Sequence, residues 1–181
     1  MFDSGYPYNL LDTKYNPSEY IKCSWNYSFK ASVRRYLVIV ELYNNDIYVI
    51  KYHAICHKKS KDKYSFIYND EKATQIIRTC INIMLDFYKQ NKNASFGFIG
   101  ANSNKKSTKK GTIIEPKSNT QRYRIYKTLM FNFFGKKTFA HSLNKKYSAY
   151  LMINRNNKKI RIFKREAQII FSKAYLNLNF S

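Results

Sequence analysis

From Ser24 to Lys30 the chain alternates. Trp25, Tyr27 and Phe29 are separated by Asn26 and Ser28 and flanked by Ser24 and Lys30. A period of two marks a half-buried strand. Arg34-Arg35 leads into the β-branched run Tyr36-Leu37-Val38-Ile39-Val40. The turn residues Asn44-Asn45-Asp46 separate that run from Ile47-Tyr48-Val49-Ile50, which Tyr52, Ala54 and Cys56 extend. These segments predict an antiparallel meander. Tyr64 to Tyr68 is expected to add a short fourth strand.

The period then changes. Ile76, Ile77, Cys80, Met84, Leu85 and Tyr88 recur three and four apart, which predicts a helix from Glu71 to about Gln90 with Asp70 as its cap. Ser95 to Gly100 reads as a short strand, and 101–118 as a long polar, lysine-rich loop. A second helix is expected to start near Ser118, Asn119 or Thr120. It presents Ile125, Tyr126, Leu129, Met130 and Phe133 on one face and ends at Gly135. Tyr147 to Ile153 predicts another strand. Lys164 to about Leu176 predicts a last helix, with Ala167, Ile170, Phe171 and Ala174 inward.

The order of elements indicates an α+β fold in a single domain: an antiparallel β-meander, a long helix, then strand, helix, strand and helix. Residues 1–22 are polar and Tyr-rich, with Pro7 and Pro17, and are expected to be an irregular N-terminal arm. Residues 23–181 form the expected domain, with its basic loop at 101–118. No repeat or linker divides it.

Charge changes the picture most. Among 181 residues, Lys and Arg number 33 against 11 Asp and Glu, a net charge of +22. An AT-rich genome inflates Lys and Asn, but it does not remove Asp and Glu. The imbalance points to a polyanionic partner, nucleic acid first and an anionic membrane surface second. The longest apolar runs are far too short to span a bilayer, so no membrane insertion is expected. The N-terminal residues lack the pattern of a secretory signal. Cys23, Cys56 and Cys80 are widely spaced and match neither a disulfide framework nor a zinc site. The chain is expected to be cytoplasmic, without metal or cofactor.

The basic residues fall in runs: Lys58, Lys59, Lys61 and Lys63; Lys105, Lys106, Lys109 and Lys110; Lys136-Lys137 and Lys145-Lys146; Lys158, Lys159 and Arg161, running on to Lys164-Arg165. Tyr52, Tyr64, Tyr123 and Tyr147 lie near them in sequence and offer rings for base stacking. Arg122 and Arg124 fall in the first turn of the second helix. There a cation opposes the helix dipole by about 0.3–1 kcal/mol each unless a bound anion offsets it. Both are expected at that helix start, with at least one facing a concave positive surface shared with the 101–118 loop. The alternative is that they point to water or pair with Glu71 or Glu115.

Gly100, Ser103, Arg122, Arg124 and Tyr126 resemble a motif of small uncharacterised bacterial proteins, Gly-Ser followed by Arg-x-Arg-x-Tyr between a strand and a helix. The resemblance spans about residues 70–135, interrupted here by the lysine-rich loop. It implies that the arginine pair belongs to a pattern, and it carries no function.

Catalytic signatures are sparse. His53 and His57, four apart on a strand, are no helical zinc pair. No carboxylate cluster suggests a two-metal nuclease, and no phosphate-binding glycine loop is present. The expected function is nucleic-acid (polyanion) binding, as a non-catalytic component of a ribonucleoprotein or defence-type complex. The candidate contacts are Arg122, Arg124, Tyr123, Lys58, Lys59, Lys105, Lys106, Lys109, Lys110, Lys158 and Lys159. The alternatives are a metal-independent ribonuclease or toxin using His57 or His141, and a protein-interaction subunit with an acidic partner.

Overall fold

Alternation becomes a sheet and helical periodicity becomes its cover. The structure, a computed structural model, describes residues 4–66, 68, 72–101, 104–108, 111–157 and 159–174, with the side chains of 104–108, 111–114 and 171–174 excepted. The strands are β1 (Tyr8–Ser18), β2 (Ile21–Lys30), β3 (Arg35–Tyr43), β4 (Ile47–Ala54), β5 (Ser95–Ile99), β6 (Asn104–Thr108), β7 (Gly111–Ile114), β8 (Phe139–Asn144) and β9 (Ala149–Asn154). The helices are α1 (Ala73–Gln90), α2 (Gln121–Thr138) and α3 (Ile160–Ala174). Seven strands form one sheet in the order β1-β2-β3-β4-β5-β9-β8, and β6 and β7 form a separate hairpin. The fold is α+β, and it opens on the expected meander.

The alternating residues decide which face is covered. Trp25, Phe29, Tyr36, Val38, Val40, Tyr48, Phe96 and Met152 lie on one face against Ile77, Cys80, Met84 and Phe87 of α1 and Tyr126 and Met130 of α2. On the other face Tyr43, Ile47, Val49, Leu151 and Ile153 pack under Phe163 and Ala167 of α3. Pairing is antiparallel throughout except for β4 and β5, which run parallel over only three register pairs, Ile47↔Ser95, Tyr48↔Phe96 and Val49↔Gly97.

Several expectations are corrected. The expected irregular arm contains a long strand, because Tyr8–Ser18 pairs with β2 from Tyr8↔Phe29 to Ser18↔Ile21. Leu10, Leu11 and Tyr15 of that edge strand are exposed, so it carries no alternation, and Pro17 is tolerated where one side of the backbone is unpaired. Residues 61–65 form turns rather than the start of a fourth strand. The 101–118 segment holds the β6–β7 hairpin. Phe139–Asn144 is an edge strand that the sequence reading did not include. The α1 helix starts at Ala73, and its expected Asp70 cap lies outside the described residues. Gly135 breaks the regular course of α2, with φ 56 and ψ −170, a conformation open essentially to glycine alone. α3 begins at Ile160, earlier than expected.

Two hydrogen bonds fasten the start of the first strand and the residues before it to α1. The Tyr6 amide donates to Thr79 Oγ1 at 2.8 Å, and the Tyr8 hydroxyl donates to the Asp86 carboxylate. That hydroxyl, with smaller help from Lys89, holds the Asp86 carboxyl below its ordinary value. A carboxyl lowered on folding stabilises above its unfolded pKa, and the contribution fades as pH falls through the folded one. Tyr8→Phe is therefore expected to lower the urea midpoint at neutral pH and to have little effect below the carboxylate range. An equal loss at both pH values would contradict this.

Candidate anion-binding site

Strand directions sort the basic segments between the two ends of the sheet. At the end where β4 and β5 finish lie the β2–β3 turn, with Lys30 paired to Arg35, and the turns after β4 that carry Lys58, Lys59, Lys61 and Lys63. The β8–β9 turn lies there too, since Asn144 pairs with Ala149 and Ala149 with Ile99. It brings Lys145 and Lys146, and the Asn119 amide bonds to the Lys145 carbonyl at 2.9 Å. The chain from Gly100 to Thr120, including the hairpin, leaves from this end. Among the described residues of these turns and connections, the acidic ones are Asp62 and Glu115. The opposite end holds Asp46, Glu19 and Glu166 as well as Lys92, Lys136, Lys137 and Arg155. The fold thus concentrates positive charge where β4 and β5 finish.

Those two strands diverge after Val49 and Gly97, and crevices form beyond the carboxyl ends of parallel neighbours whose chains leave in different directions. A cavity of about 140 Å³ lies in this fork, lined by Ile50, Lys51, Tyr52, Tyr64, Ile99, Ala101, Arg122 and Tyr126. Gly100, between the lining residues Ile99 and Ala101, lies against the start of α2. A Cβ there would meet Thr120 Oγ1 at 2.5 Å and the Tyr123 amide nitrogen at 2.8 Å, so only glycine lets the strand end approach α2 this closely. Thr120 uses its hydroxyl twice, donating to the Gly100 carbonyl at 3.0 Å and accepting from the Tyr123 amide at 3.3 Å as the helix cap.

Two of the first amides of α2 are taken by the chain's own side chains, contrary to the expectation of an open helix start. Glu115 Oε1 accepts from the Gln121 amide at 2.6 Å, and the Thr120 hydroxyl accepts from the Tyr123 amide at 3.3 Å. The chain supplies its own carboxylate to the dipole. What remains for a ligand is the side chain of Arg122.

Arg122 is 8% exposed. One Nη donates to the Phe66 carbonyl at 2.6 Å, and the guanidinium carbon lies 5.5 Å from the centre of the Tyr52 ring. Among the described residues it faces no carboxylate. A cation–π contact supplies about 0.5–2 kcal/mol, against a desolvation penalty on the order of several kcal/mol for a buried ion. Tyr52 and Tyr126 share a hydroxyl hydrogen bond, and burial raises both pKa values, with Arg122 opposing the rise. Burial pushes the Tyr64 hydroxyl up to about 12, aided by Glu41. All three are neutral phenols at physiological pH.

The other candidates divide. Arg124 is exposed and donates to the Asn119 carbonyl at 2.6 Å, clasping a residue held at φ 55. Tyr123 is 4% exposed and packs in the core, so its ring is no stacking surface. Lys58 and Lys59 are exposed at the basic end. Lys105 and Lys106 lie on β6, and Lys109, Lys110 and Lys158 lie outside the described residues. Lys159 is exposed at the opposite end, apart from this cluster. The residues the sequence reading missed are Lys51 and Tyr126 as cavity walls. The signal for Tyr126 was its spacing of four from Arg122, which puts both on one helix face.

Each histidine is engaged by the chain itself. His141 has both ring nitrogens engaged, by the Tyr150 hydroxyl and the Gly135 carbonyl. His57 stacks on Phe66 with centroids 3.8 Å apart. His53 is buried, which lowers its pKa, with smaller contributions from Lys63, Lys58 and His57. Among the described residues no three His, Cys, Asp or Glu side chains come together as a metal set, and no helix is long and apolar enough to cross a membrane. No family model, curated protein or solved structure matches the chain.

Proposed function

We propose that the chain binds nucleic acid through the end of the sheet where β4 and β5 finish, as a non-catalytic component of a larger ribonucleoprotein or defence-type assembly. The observation that carries this reading is Arg122: a nearly buried guanidinium that meets no carboxylate among the described residues, in a cavity at the end of the sheet that bears the lysine-rich turns. Lysines in the turns neutralise phosphates and release counterions, which supplies affinity without sequence preference. The engagement of both His141 ring nitrogens and the stacking of His57 on Phe66 support binding over acid–base cleavage.

Lysine footprinting tests the placement. The folded chain is treated with an amine-acetylating reagent, with and without a saturating oligonucleotide, and the modified sites are read by mass spectrometry. Lys58, Lys59 and Lys145 are expected to be protected, while Lys136, Lys137 and Lys159 stay reactive. Protection confined to the latter three, or spread equally over both ends, would overturn the proposed interface.

A further inference from the structure

We infer that the fork cavity takes one unstacked nucleobase, with guanine as the base whose edge Arg122 reads. The inference rests on the nucleic-acid reading and adds which part of the strand enters. A cavity of about 140 Å³ is well below the roughly 300–1,000 Å³ of pockets that enclose drug-sized molecules, so it fits one ring system rather than a whole nucleotide. Its walls argue against a phosphate. Ile50, Ile99 and the rings of Tyr52 and Tyr64 are poor company for a dianion, and the Lys51 ammonium is already 2.6 Å from Glu41. The same walls suit a flat heterocycle, which stacks on tyrosine faces and leaves its polar edge to be satisfied.

Arg122 supplies that edge contact. A guanidinium carries five N–H donors in a planar fork. One Nη is held by the Phe66 carbonyl, and the remaining donors bond to nothing else among the described residues. Two parallel N–H groups match the adjacent O6 and N7 acceptors of guanine. Adenine offers a donor in place of O6 and is matched less well. The basic turns then hold the flanking phosphates, and the cavity holds the base.

The experiment uses the full chain and single-stranded uridine or thymidine oligomers that carry one central guanine, adenine or abasic residue. Affinities are read by fluorescence anisotropy. The guanine oligomer is expected to bind at least about tenfold tighter than the abasic one, with adenine between them. Arg122→Lys, which keeps the charge and loses the fork, is expected to erase the guanine preference and leave the salt dependence intact. Tyr64→Ala, at a half-buried position, is expected to weaken guanine and adenine oligomers alike toward the abasic level. Equal binding of all three oligomers by the unmodified chain would overturn the base pocket and leave nucleic-acid binding standing. Failure to bind any oligomer would remove both.

Discussion

Reversing Lys58, Lys59 and Lys145 to glutamate together is expected to lower affinity for an oligonucleotide by about a thousandfold at ~0.1 M salt, with the fold intact. Each lysine that neutralises a phosphate releases a little under one counterion, and at that salt concentration each release is worth roughly tenfold in the binding constant. The slope of log affinity against log salt is expected to flatten by about three for the same reason. All three side chains are exposed, so the reversal breaks no core contact. The matching reversal of Lys136, Lys137 and Lys159 changes net charge equally at the other end. It is expected to have a much smaller effect, because screening removes most of the attraction beyond about 8–10 Å. Equal losses from the two triple variants would mean that total charge, and not its placement, drives binding.

Gly100→Ala is expected to destabilise the chain by about 2–4 kcal/mol. The new Cβ would sit 2.5 Å from Thr120 Oγ1 and 2.8 Å from the Tyr123 nitrogen, so either the strand end or the start of α2 must move. Overpacking of this kind costs about 1–3 kcal/mol, and losing the Thr120 cap adds about 1 kcal/mol. The same shift carries Arg122 out of the fork, so guanine preference should fall with stability. Urea midpoints of both proteins check the first part, and oligomer binding at equal folded concentration checks the second. A variant as stable as the parent would show that the close approach of Gly100 to α2 is not a constraint.

The elements most legible in the sequence are those with one buried face. β2, β3 and β4 alternate, and α1 repeats at helical spacing, because each lies half against a core. The edge strands were opaque for the opposite reason. Most of β1 is exposed, so its side chains keep no period, and only pairing with β2 makes it a strand. β8 mixes Phe139 and His141 with small polar residues and owes its state to β9. The 101–118 segment hid a hairpin because its lysines and threonines form no apolar face. In the site, Arg122 was legible as a cation at a helix start, but its direction was not. Glu115 already serves the helix end, and Arg122 turns instead toward Phe66 and Tyr52. Tyr123 looked like a surface ring because it lies between two arginines, yet at that position α2 faces the sheet. Strand direction, which residue spacing does not encode, brought Lys58 and Lys145 to one end and sent Lys159 to the other.

The central claim is that this basic end of the sheet engages nucleic acid. Its most direct test is the affinity of the unmodified chain for labelled single-stranded RNA and DNA oligomers across a potassium chloride series. The account predicts binding at low salt, with log affinity falling linearly and steeply as log salt rises. No binding to either polymer at the lowest salt, or binding indifferent to salt, would contradict it.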